Sequence, residues 1–166
     1  HRKTTVCLCI DGKPAAGRTV PIGGNAITAA IAQDMDIDHD AAERAKCAIG
    51  FLGEAESNEG SRAVAAIDRI ARELVRSFDS LDPTEGSLMD HPDSQIVLMG
   101  GTAQMDGIEG YIETRTGVPT RRLSPPEDPA KSSLLGGCDP VLFGPAMALS
   151  LRSSSQALTQ FNFRQN

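Results

Sequence analysis

The sequence predicts an α/β domain, a mixed sheet with helices on its faces. Three stretches carry that prediction. "TTVCLCIDGKPAAGRTVPIGG" at 4–24 holds two strand-like runs around a polar turn. "SRAVAAIDRIARELVRSFDS" at 61–80 repeats apolar residues at helical spacing. A strand, a helix and a strand follow one another over 95–123, at the spacing of a βαβ unit with a parallel pair. The hairpin, the helices and the βαβ strands are expected to share one sheet, with strand 95–99 beside the hairpin.

Taken in order, residues 4–10 and 18–22 are the hairpin strands, with "DGKPAAG" as the turn. Gly23-Gly24 end the second strand. Residues 25–35, "NAITAAIAQDM", read as a helix with Asn25 as N-cap and Ile27 and Ile31 on one face. "DIDHD" breaks it. A second helix is expected over 40–51, where Asp40 and Glu43 have capping-box spacing in acidic form. "EAESNEG" at 54–60 is a polar loop. The long helix over 61–80 presents Val64, Ile67, Ala71, Leu74, Val75 and Phe78 as its apolar stripe. Ser61 caps its start, and Asp68–Arg72 and Arg69–Glu73 are pairs one turn apart. Residues 82–94 form a loop, 95–99 a strand, 106–116 a helix and 117–123 a turn and strand. The Pro-, Gly- and Ser-rich stretch 124–140 is a loop. A closing helix lies within 141–152, starting near Gly144-Pro145. A polar tail follows from 153.

Composition excludes several classes of function. The chain has 166 residues, enough for one domain with a real core, and a net charge of −6. With a pI near 5.0 it lacks the basic face of a non-specific nucleic-acid binder. No apolar run approaches the roughly 20 residues that cross a bilayer, and no signal peptide is visible. The chain opens at His1, which reads as a tag remnant, and enters a strand almost at once, as expected of the later part of a longer protein. Cys7 and Cys9 alternate on one strand face. With Cys47 and Cys138 they are expected to be small core residues, as suits a reducing cytoplasm. No CxxC or His cluster completes a metal site, and Asp36/Asp38 lack the fuller pattern of a Ca²⁺ loop. His1, His39 and His91 have no nucleophile in a motif context.

Two Gly-Gly strand ends stand out, "VPIGGN" at 20–25 and "VLMGGT" at 97–102. Neither is a Walker A loop or a GxGxxG fingerprint. Each alone is explained by a tight strand-to-helix turn. Together, with a helix after each, they point to ligand contact at the carboxyl ends of strands.

These turns also carry a resemblance. "GRTVPIGGNAITAAIAQDMDIDHDAAERAK" resembles the stretch after the phosphate hairpin in the PilM family of actin-like ATPases of type IV pilus assembly, and in the related FtsA family. "LVRSFD", "QIVLMGGTAQMDGIEGYIETRTGVPTRRLSP" and "FGPAMALSLR" resemble PilM's later half. The resemblance covers roughly residues 4–152. It implies the second domain of an actin-like, ribonuclease-H-like fold over 1–152, with an insertion-like helical region at 25–80 and a polar tail at 153–166. Gly100, Gly101 and Thr102 match the adenosine-binding turn, and Glu43 and Lys46 match the helix that touches ribose and base edge. It implies ATP with Mg²⁺ as cofactor of the complete protein, and no structural metal. The Asp-x-Gly strand that should precede Thr4 and the opposing domain are not in this chain. Weak ATPase activity therefore falls to the complete protein, and the chain alone binds ATP weakly without hydrolysing it. The implied location is the cytoplasm, peripheral to the inner membrane through the tail of a PilN-like partner, without direct membrane insertion. Self-association is a further implied contact. Two other readings stand beside this one: an interaction module without nucleotide, in which the glycine turns only pack, and an FtsA-like cell-division filament subunit.

Overall fold

In the computed structural model the described residues are 2–48, 61–81, 91–125 and 137–151. The expected loop at 54–60, most of the loops at 82–94 and 124–140, and the tail from 153 lie outside them.

The hairpin pairs β1 (Thr4–Ile10) with β2 (Lys13–Val20), antiparallel. Its turn is only Asp11-Gly12, both at positive φ (51° and 73°), the geometry that an Asp-Gly turn selects. The second strand therefore begins five residues before the expected Arg18, and it contains Pro14. Proline has no N–H for a ladder, but a bulge tolerates it. Here the register slips between Leu8, opposite Ala16, and Cys9, opposite Pro14. Val6 and Val20 point into the core. Alternation then sends Cys7 and Cys9 to the other face, and all four cysteines are exposed, not core residues. The inference from buried thiols loses its premise.

α1 (Gly24–Met35) starts after Gly23, and no side chain caps it. Asn25 instead contacts His39 Nε2 through its Oδ1, at 3.1 Å. Asp36 ends the helix in the left-handed region, at φ 51°. In α2 (His39–Ala48) the cap is Asp38, whose Oδ1 accepts from Ala41 N–H at 2.8 Å. The expected Asp40–Glu43 capping box is therefore not formed.

α3 (Arg62–Leu81) is the long helix. Asp34, from the end of α1, accepts from Ser61 Oγ and from the Arg62 and Ala63 N–H groups, so the cap is borrowed from a neighbouring helix. The buried stripe is Ala63, Ile67, Ile70, Ala71, Leu74 and Ser77, rotated slightly from the expected one. The expected intrahelical pairs do not form. Asp68 binds Arg115, and Glu73 binds Arg76.

β3 (Ile96–Leu98), α4 (Ile108–Thr116) and β4 (Thr120–Arg122) make the expected βαβ unit, with β3 and β4 parallel. Between β3 and α4 lies a 3-10 turn, Gly101–Gln104. Glu109 accepts from Arg122 N–H at 2.9 Å and Glu113 from Thr120 N–H at 3.1 Å, so α4 clamps β4 by two carboxylates. Tyr111 donates to Asp68 at 2.7 Å and Arg115 pairs with Asp68 at 3.0 Å, tying α4 to α3, while Arg115 lies 5.2 Å from the Tyr111 ring within α4.

The architecture is α/β, as expected, but the described strands form two separate two-stranded sheets. β3 does not join the hairpin. α3 packs on the hairpin and on α4, and side chains rather than ladder bonds unite the halves. One apolar cluster includes Val6 and Val20 from the hairpin, Ile27 and Ile31 from α1, Ile67 and Leu74 from α3, and Ile96 and Ile108 from the βαβ unit. α5 (Pro140–Leu151) closes the chain. It starts four residues before the expected Gly144, with Asp139 Oδ1 accepting from Val141 N–H at 2.8 Å, so Pro145 lies inside the helix.

Candidate functional site

The fold brings the two glycine turns into contact. Gly24 opens α1 with its backbone against Thr102 of the second turn. A Cβ on Gly24 would collide with Thr102 Oγ1 and would lie 3.5 Å from Lys46 Nζ. Glycine is the only residue that permits this approach. The strand end, the second helix and the later turn thus converge on one spot.

Thr28, one turn into α1, is fully buried and forms the hub. Lys46 Nζ donates to Thr28 Oγ1 at 2.9 Å and lies 2.7 Å from both Glu43 oxygens. Thr28 Oγ1 is in hydrogen-bonding contact with Glu43 Oε2 and lies 3.1 Å from the Gly24 carbonyl. A hydroxyl has one proton, so it serves either Glu43 or Gly24 while accepting from Lys46. Lys46 is 4% exposed, rare for a lysine, and its charge is matched by the half-exposed Glu43. Burial pushes the Glu43 carboxyl up, but the hydrogen bonds from Lys46 and Thr28 outweigh it, and the group sits below its ordinary value.

The second turn is shaped by Gly100. Its φ of 98° and ψ of 171° belong to a region open only to glycine. Its N–H donates to the Val141 carbonyl of α5 at 2.6 Å. Gly101 is exposed, and nothing lies within 4 Å of where its Cβ would be. The five residues singled out in the sequence therefore do not form one uniform cluster. Lys46 and Thr102 meet at Gly24, and Glu43 joins them through Lys46 and Thr28. Gly100 and Gly101 continue the same turn, with open space where a Cβ would stand on each. Gly24 stands out in the sequence only as part of the "VPIGGN" turn and Thr28 not at all, although "GGNAIT" contains both.

A concavity of about 430 Å³ lies along α3, lined by Asp68, Ala71, Arg72, Val75, Arg76 and Arg115 and by none of the glycine-turn residues. Two of its charged residues, Asp68 and Arg115, pair with each other across the α3–α4 seam at 3.0 Å, and Arg76 pairs with Glu73 of its own helix at 2.9 Å. Among the described residues no group of three or more His, Cys, Asp or Glu gathers as for a metal ion. No described helix is long and apolar enough to cross a membrane.

The fold is of the actin-like α/β class, which it shares with the solved structures below. A family model described as "Cell division protein FtsA" matches residues 1–136. The chain belongs to that family. Among solved structures it is similar to a chain of a "PilM-PilN type IV pilus biogenesis complex", with 22% identity and a TM-score of 0.65, covering 91% of this chain and 43% of that one. It is also similar to ethanolamine utilization protein EutJ from Carboxydothermus hydrogenoformans, with 19% identity and a TM-score of 0.58, covering 73% of this chain and 40% of that one. The chain thus spans about two-fifths of the solved chains it matches. No curated protein matches.

Proposed function

We propose that this chain supplies the adenosine side of an inter-domain ATP cleft in an actin-like protein of type IV pilus assembly. The observation that carries the reading is the meeting of Gly24, Thr102 and Lys46, with Glu43 paired to Lys46 and the exposed Gly101 in the turn beside them. In this reading the bare Gly101 backbone lies against the purine. Glu43 accepts from ribose hydroxyls, and Lys46 lends positive charge near the base edge or phosphate. The phosphates and Mg²⁺ are handled chiefly by parts of the complete protein outside this chain, so the complete protein holds any weak ATPase activity. Residues 1–152 are the later actin-like domain and 153–166 its tail. The partner is a PilN-like inner-membrane protein, whose tail holds the complex at the cytoplasmic side of the inner membrane.

Titration of the complete protein with a fluorescent ATP analogue and Mg²⁺ tests the nucleotide claim. Gly101→Val should abolish binding while leaving the unfolding midpoint unchanged. Unchanged binding by a folded Gly101→Val protein would return that glycine to a packing role. The family match over residues 1–136 favours a second reading, a cell-division filament subunit. Nucleotide-dependent sedimentation of the complete protein, without capture by a PilN-like tail, would select it.

A further inference from the structure

We infer that Pro145 is a positioning residue for the Gly100 turn: by leaving the Val141 carbonyl without its helical partner, it gives Gly100 N–H an acceptor. In a helix the N–H of residue 145 would bond the carbonyl of residue 141. Proline has no N–H, and its ring also presses on the carbonyl four residues back, tilting it from the axis. That carbonyl, Val141, is the one that accepts from Gly100 at 2.6 Å. Pro145 lies beyond the first turn of α5, where proline is costly, so its placement calls for a reason.

Neighbouring contacts hold α5 where this bond requires it. A Cβ on Gly144 would come within 2.8 Å of Leu123 Cδ2 and 3.5 Å of Met99 Sδ, so the bare Gly144 lets the helix lie against the residues that follow β3 and β4. At the helix start, Gln104 of the 3-10 turn donates to Asp139 at 2.6 Å. The turn is therefore gripped at Gly100 by a carbonyl of α5 and at Gln104 by the carboxylate of Asp139, the residue just before α5. Gly100 needs such a grip, because the conformation it holds is one of many open to glycine. The "GP" of the closing helix thus presents the turn that "GG" forms.

The ligand consequence rests on the proposed ATP cleft, whereas the hydrogen bond does not, so two measurements are made on the complete protein. In Pro145→Ala, the new N–H competes for the Val141 carbonyl. Gly100 amide exchange should speed by about tenfold, the scale of one net hydrogen bond. Binding of the fluorescent ATP analogue should weaken several-fold. Resistance to urea should stay level or rise, because a proline has left a helix interior. A merely structural proline would not lower affinity while preserving or raising stability. Pro140→Ala, at the first helical position, where no intrahelical bond is lost, should change neither exchange nor binding. Gly144→Ala, which lifts α5 while keeping Pro145, should speed Gly100 exchange as well. Unchanged Gly100 exchange in folded Pro145→Ala overturns the inference. Absence of ATP binding by the wild-type protein would overturn the cleft instead, leaving the exchange result to stand or fall alone.

Discussion

Replacing Gly24 with alanine probes the meeting of the two glycine turns. The new methyl would collide with Thr102 Oγ1, while Thr102 Cβ at 3.7 Å and Lys46 Nζ at 3.5 Å stay at ordinary contact distance. The clash is therefore with one atom. Overpacking of this kind costs about 1–3 kcal/mol. Against it stands the helical preference of alanine over glycine, up to about 1 kcal/mol. Gly24→Ala should thus destabilise by about 0–3 kcal/mol. Thr102→Ala removes the offending oxygen, and that hydroxyl makes no hydrogen bond among the described residues, so the single change should be mild. In the double variant only the helical gain remains, and Gly24→Ala should become neutral or stabilising. The coupling energy from urea unfolding of the four proteins should be about 1–3 kcal/mol, favouring the double variant. Additivity within about 0.5 kcal/mol would mean that the turns do not touch, and the convergence on which the site rests would fail.

Three further outcomes follow from the same structure. Ile67→Ala and Leu74→Ala, at 1% and 8% exposed, should each cost about 2–5 kcal/mol in urea unfolding, and a loss below about 0.5 kcal/mol would mean an exposed face. Glu43 is held below its ordinary carboxyl value when folded, so its stabilisation is full above the unfolded value and fades as pH falls through the folded one; Glu43→Gln should flatten the acid side of the stability–pH curve, and an unaltered curve would contradict the Lys46–Thr28 contacts. Cys7, Cys9, Cys47 and Cys138 should all react with a thiol reagent in the native protein, and protection of Cys7 and Cys9 until unfolding would reverse the facing assigned to β1.

The parts legible in the sequence are those with a local period. The hairpin, the long helix and the βαβ order follow from spacing alone, and the structure keeps each within a few residues. What was not legible needed distant partners. Alternation says that Cys7 and Cys9 share a face, but only the burial of Val6 and Val20 says which face. The stripe on α3 shifts toward Ala63 and Ser77 because small residues let neighbouring elements approach. Asp34 caps α3 from another helix, a borrowing that no local pattern announces. The single sheet was expected because nothing in the strands says whether hydrogen bonds or a helix joins them.

The same limit governs Glu43. As the fourth residue of "DAAE" it fits a capping box, and that role would turn its carboxylate back to the start of α2. Asp38 is two residues earlier, and its oxygen already takes the Ala41 N–H. The helix start is thereby satisfied without Glu43, whose side chain is free to face Thr28 and Lys46. Lys46 in turn can be buried only because that carboxylate and the Thr28 hydroxyl receive its charge and protons. Thr28 comes to the spot because Gly24 lets α1 begin hard against Thr102. Remove the glycine and the helix moves; remove the threonine and the lysine loses its neutral acceptor. Gly24 and Thr28 are therefore as much a part of the candidate site as the charged pair that the resemblance names, and the place of Thr28 in it is legible only once the contact of "GGNAIT" with "GGT" is known.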